Sequence, residues 1–155
     1  LVAVNALGQA TIGDSRHFWA APYERAYEFG GHGFPAPLPA HALDCRIKGD
    51  TPTNTTIAIV ATDAALTKAE AKRLAIMAHD GMAHALRPAH AALDGDIVFA
   101  AATGGAANAP TIRDRTEIGM MAADCLARAI ARGIYEATPL PFANALPSYQ
   151  QKFGI

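Results

Sequence analysis

Asn54-Thr55 stands where a Pro- and Gly-rich stretch gives way to the apolar run TIAIVAT. A threonine hydroxyl placed there can attack the carbonyl carbon of the residue before it. Collapse of the small ring moves the acyl group from nitrogen to oxygen, and water then opens the ester. The products are a chain ending at Asn54 and a second chain beginning at Thr55. The new α-amino group, with an ordinary pKa of about 7.7–8.0, lies within reach of its own Oγ. It can serve as general base without a histidine, a threonine–amine form of the activated nucleophile. The β-branch also narrows χ1 and helps hold Oγ in an attacking rotamer. The dipeptide alone equally suits a turn that starts a strand, and Asn54-Thr55-Thr56 is a formal glycosylation sequon. The chemistry therefore needs further groups.

Candidates for those groups exist. Asp94-Gly95-Asp96 precedes a second apolar run, IVFAAAT. Two carboxylates flanking a glycine can bend toward one point and hold an ammonium and a hydroxyl in register, although DGD is also an ordinary surface turn. Asn5 ends the apolar opening LVAVN, where its amide can donate to an oxyanion or simply cap a strand end.

These residues need elements to position them. Leu1 to Val4 reads as a short buried strand, and Thr56 to Thr62 and Ile97 to Thr103 as core strands. Thr67-Lys68-Ala69-Glu70 matches a capping box. It starts a helix with Leu74, Met77, Ala78, Gly81 and Ala85 on one face, running to about Leu86 and closed by Pro88. A second helix is predicted from about Thr116 to Ala131, with Ile118, Met121, Ala122, Cys125, Leu126, Ala129 and Ile130 on its face. Residues 9–53, with GGHGFPAPLP inside them, predict a long ordered loop holding a short helix within Arg16 to Phe29. Trp19, Tyr23 and Tyr27 would form a packing stripe on that helix. The order strand, loop, strand, helix, strand, helix predicts an α/β or α+β layered domain.

Composition narrows the function classes. The chain has 155 residues, enough for one domain burying about 70% of its unfolded surface. Charged residues make up 17% and the net charge is −1, which leaves no electrostatic footprint for nucleic acid or an anionic membrane. No apolar run is long enough to span a bilayer, and nothing at the start reads as a signal peptide. Cys45 and Cys125 are isolated, which predicts free thiols and a reducing, cytoplasmic setting. His79 and His84 lie about 140° apart on a helix and Pro88 separates His90, so the three histidines read as helix edges and a loop, not as a metal site. Gly104-Gly105 lacks the pattern of a phosphate loop. No cofactor and no metal are expected. The opening residues, with no initiator Met and no polar lead-in, predict that the chain is the C-terminal part of something longer.

The string NTTIAIVATDAALTKAEAKRLAIMAHDGMAHALRPAHAALDGDIVFAAATG, Asn54 to Gly104, strongly resembles the L-aminopeptidase/D-esterase (DmpA-type) family, which includes β-peptidyl aminopeptidases and the nylon-oligomer hydrolase. The opening VNALG and the region from Thr116 extend the likeness more loosely. The resemblance implies a self-cleaving N-terminal-nucleophile hydrolase in a four-layer α/β/β/α sandwich, a fold shared with ornithine acetyltransferases, of which this chain would be only the C-terminal portion. On that reading residues 1–54 close the α segment and residues 55–155 form the β segment. It places Thr55 on the nucleophile, Asn54 before the cut, Asp94 and Asp96 on the acidic pair of the nylon-hydrolase branch, and Asn5 on the oxyanion asparagine. A lysine of that branch lies upstream of the asparagine and has no counterpart in this chain.

The implied activity is amide hydrolysis, as an aminopeptidase or amidase on short peptides or related amides. The implied partners are the missing upstream segment and further copies, commonly in a tetramer of cleaved pairs. Acyl transfer of the ornithine acetyltransferase type and an inert assembly or ligand-binding module are the alternatives.

Overall fold

The computed structural model of the chain describes residues 1–48 and 54–155, so the last part of the predicted loop, residues 49–53, lies outside the described residues. Its centre is a three-stranded sheet of β1 (Val2–Asn5), β2 (Thr55–Thr62) and β3 (Ile97–Ala102), in that order. β1 runs antiparallel to β2, whereas β2 and β3 are parallel and joined through helix α1 (Lys68–Ala85). A parallel pair needs such a crossover, because a hairpin cannot reverse the chain twice. Helix α2 (Ile112–Tyr135) and the short α3 (Tyr149–Phe153) follow.

Both long helices begin where a side chain can satisfy the first free N–H groups. Thr67 and Glu70 form the expected capping box of α1, with Thr67 Oγ1 accepting from the Glu70 amide and Glu70 Oε2 accepting from Thr67 N. α2 starts at Ile112, earlier than the expected Thr116, because Thr111 and Asp114 make a second box. Its buried face is also rotated from the expected one: Gly119, Ala123, Leu126, Ala127, Ile130 and Ala131 are buried, while Met121 and Cys125 are exposed. Small residues win those positions because α1 and α2 approach closely. A Cβ added to Gly81 of α1 would overlap the Ala123 carbonyl oxygen of α2.

The two helices cover one face of the sheet. Ala58 and Val98 join Ala78, Met82, Ala85, Leu126 and Ile130 in one core. The opposite face remains apolar and open, with Ile57 49% and Phe99 52% exposed beside Ile59 and Ile97. Apolar residues on both faces are the pattern of a sheet packed on both sides. The protein is thus a mixed α/β structure with one helix layer and one sheet of the expected four-layer sandwich. The other two layers are not among the described residues.

Among its described residues, 9–48, the loop after β1 carries only a 3-10 turn at Ala21–Tyr23 where a helix was predicted. Ala26 and Tyr27 adopt left-handed backbone (φ 50 and 57), which no right-handed helix can include. The aromatic stripe dissolves with the helix. Trp19 receives the Arg87 guanidinium, Tyr23 stacks on His84, and Tyr27 is exposed. Paired hydrogen bonds between Gln9 and Arg87 (3.0 Å each way) and the Glu28–Arg128 ion pair tie the loop to the helices.

The helix crossing yields a test. Gly81→Ala should destabilise the protein by roughly 1–3 kcal/mol, since rigid backbone blocks the new methyl. Gly119→Ala meets only the flexible Met77 side chain and should cost less. Urea unfolding of the full-length protein reads both, and equal midpoints for Gly81→Ala and the parent would refute the crossing described here.

Candidate active site

The parallel register of β2 and β3 continues past their ends. Ile57 pairs with Ile97, and one further bridge joins Asn54 to Asp94. On the other side of β2, Thr55 pairs with Asn5. All five residues singled out from the sequence therefore gather at one end of the sheet.

At the junction itself, Thr55 Oγ1 donates to the Asn54 carbonyl oxygen at 2.5 Å. The same oxygen accepts the Gly95 N–H at 3.0 Å. Two donors on one carbonyl oxygen polarise it toward attack at carbon. Glycine is needed at position 95 for space, because a Cβ there would sit 2.8 Å from Thr55 Oγ1. A backbone amide is invisible to any search for reactive side chains, so nothing in the residue pattern marks the Gly95 N–H as a donor.

The two aspartates occupy different surroundings. Asp96 Oδ1 accepts the Thr56 N–H at 2.9 Å, and Asp96 Oδ2 accepts the His90 N–H at 3.2 Å. Asp94 Oδ2 accepts only the longer Leu7 N–H bond at 3.3 Å, and its Oδ1 is buried with no donor. Burial pushes the Asp94 carboxyl above the ordinary aspartate range. The negative charge of Asp96 adds to that push, and the Leu7 N–H opposes it. Asp94 is consequently the group poised to take up a proton or a cationic donor.

Three further residues enter that the residue pattern did not single out for the site. Lys48 Nζ donates to Asn5 Oδ1 at 2.5 Å, which orients the Asn5 amide. No motif flags Lys48, since the chain has to fold back across the end of β1 to bring it there. His79 and His90, read from the sequence as separated, lie with ring centroids 5.1 Å apart, because the turn after Pro88 swings His90 back over α1. His79 Nε2 accepts the Val98 N–H at 3.2 Å, so this ring is neutral. Burial first, and then the neighbouring His90, lower its pKa.

The Asp94 environment predicts a pH signature. A carboxyl whose folded-state pKa is raised contributes stability that is fully present below its unfolded value and lost as pH rises through the folded one. Asp94→Asn removes that loss, so the variant's melting temperature relative to the parent should be higher at pH 7 than at pH 4. A difference that does not change with pH would contradict the assignment.

The profile of peptidase family S58 matches residues 1–146. A protein of Mycobacterium tuberculosis strain H37Rv named as an uncharacterized aminopeptidase is 46% identical, over 67% of this chain and 32% of its own length. A Mycobacterium bovis protein so named has the same identity and coverage. Its Mycobacterium leprae counterpart is 44% identical over 62% of this chain and 28% of its own length. The chain thus spans about a third of the length of the curated relatives it matches. With a family match along nearly its whole length, the chain belongs to peptidase family S58.

Proposed function

We propose that this chain carries the reacting centre of a self-processing amide hydrolase, an aminopeptidase or amidase acting on short peptides or related amides. The observation that carries the reading is the Thr55 hydroxyl 2.5 Å from the Asn54 carbonyl oxygen, with the Gly95 N–H on that same oxygen. In self-processing, Thr55 Oγ attacks the Asn54 carbonyl carbon and the C–N bond breaks. The hydroxyl proton ends on the departing Thr55 nitrogen. Water then cleaves the ester, which leaves Asn54 as a carboxylate and returns the Thr55 hydroxyl beside its free amine. The Gly95 N–H donates to the developing oxyanion of that first step.

In turnover, Thr55 Oγ attacks the substrate carbonyl, its own α-amino group takes the proton and hands it to the leaving amine as the C–N bond breaks, and water then hydrolyses the acyl-enzyme ester. Asn5, next to Thr55 across the β1–β2 pair, supplies an amide donor for the substrate oxyanion. Asp94 Oδ1, buried and lacking a donor, accepts from the new ammonium and holds it against Oγ. Asp96 fixes the amide that follows the nucleophile. The names of the mycobacterial relatives support release of N-terminal residues as the reaction. The remainder of the full-length protein and further copies of it complete the substrate pocket, as a tetramer of cleaved pairs.

The test is made on the full-length protein. Intact mass should reveal two pieces whose junction lies between Asn54 and Thr55. Thr55→Ala should give one undivided mass and no release of p-nitroaniline from aminoacyl p-nitroanilides, with an unchanged circular dichroism spectrum. The same two pieces appearing from Thr55→Ala at the parental rate would defeat the proposal.

A further inference from the structure

We propose that His90 is a positioning residue for the acidic pair, its imidazole clamping Asp96 so that Thr55 and Asp94 keep a fixed relation to one another. The inference rests on the self-processing reading above. It starts from burial: the Asp96 side chain is only 2% exposed, and a carboxylate withdrawn from water must have its oxygens partnered. Oδ1 takes the Thr56 N–H at 2.9 Å. Oδ2 meets both the backbone N–H and the ring Nδ1 of His90, each at 3.2 Å. One residue thus makes both contacts at Oδ2, a backbone donor and an imidazole nitrogen within ion-pair distance.

His90 adopts a conformation that suits this task. Its backbone is left-handed (φ 54), a region that few non-glycine residues enter but that histidine enters more readily than most. From there its own N–H and its ring both reach Asp96 Oδ2. The ring is backed by His79, whose Nε2 is already occupied by the Val98 N–H. His79 therefore packs against His90 without competing for Asp96. The ionisable groups acting around the ring are Asp96, Asp94 and His79, with Asp80 acting on His79 from farther along α1. Among the described residues no group of three His, Cys, Asp or Glu side chains is placed to hold a metal ion.

The reach of the clamp extends to the reacting atoms. Asp96 holds the Thr56 N–H, one residue from the nucleophile, and its charge acts on Asp94. If the imidazole is removed, Asp96 Oδ2 retains a single backbone donor and the carboxylate can turn. The Thr56 amide then loses its partner at the strand end that presents Thr55.

Self-scission of the full-length protein gives a readout that needs no knowledge of the substrate. In an intact-mass time course, His90→Ala should slow cutting by about 10-fold or more, as loosened reacting geometry does. The melting temperature should stay near that of the parent. His90→Asn should recover most of the rate, because its amide NH₂ falls near the position of Nδ1 and asparagine accepts left-handed backbone. His90→Gln, whose amide reaches past that point, should remain slow.

If His90→Ala cuts at the parental rate while Thr55→Ala stays whole, this proposal fails and the self-processing reading stands. If the parent itself never cuts, both fail together. Should His90→Ala not fold, the comparison of Asn with Gln decides, and equal rates for those two would overturn the clamp.

Discussion

The parallel pairing of β2 with β3 is the constraint on which the site depends. Its register sets Ile57 opposite Ile97, and three residues earlier it sets Asn54 beside Asp94. From that alignment follow the Gly95 N–H on the Asn54 carbonyl and the Asp96 carboxylate on the Thr56 amide. A slip of one residue would turn every side chain of the pair to the other face and carry both carboxylates away from the junction. The crossover through α1 fixes the register, and the His79–Val98 hydrogen bond fastens that helix to the first turn of β3. The helix layer is thus part of the machinery of alignment.

Within this frame two neighbouring carboxylates are made unlike each other. Asp96 has a backbone N–H donor on each oxygen, whereas Asp94 has one long bond and one oxygen without a donor among the described residues. Pairs of like groups whose surroundings drive their proton affinities apart are a recurring way of dividing acid and base roles. Here the division arises from backbone, through Leu7 on one side and Thr56 with His90 on the other. The buried Asp94 oxygen costs stability, and such a cost persists where a site makes use of it.

Much of this was readable from residue types. Three strands, both helices and the α1 capping box follow from β-branched runs, helical spacing and the Thr67–Glu70 pair. Asn5, Asn54, Thr55, Asp94 and Asp96 could be singled out because each sits at the end of an apolar run, and ends of adjacent strands meet. The failures share a cause as well. The Arg16–Phe29 helix, the rotated face of α2, the meeting of His79 with His90, and the reach of Lys48 to Asn5 all depend on how a loop or a close helix crossing bends the chain. Periodicity records which residues share a face of one element. It is silent on what a turn brings back, and on backbone amides such as that of Gly95.

The pairing of Thr55 with Asn5 has a consequence for the order of any terminus made there. Chain ends ordinarily fray, because the last residues have neighbours on one side only. A terminus created at Thr55 would instead start inside a sheet, with Asn5 across one edge and the Asp94–Asp96 turn across the other. Its ψ would already be set by the ladder with β1. The residue that would normally be the floppiest of the chain would be held about as firmly as one in mid-strand, and little rotational freedom would remain to be surrendered when a substrate arrives.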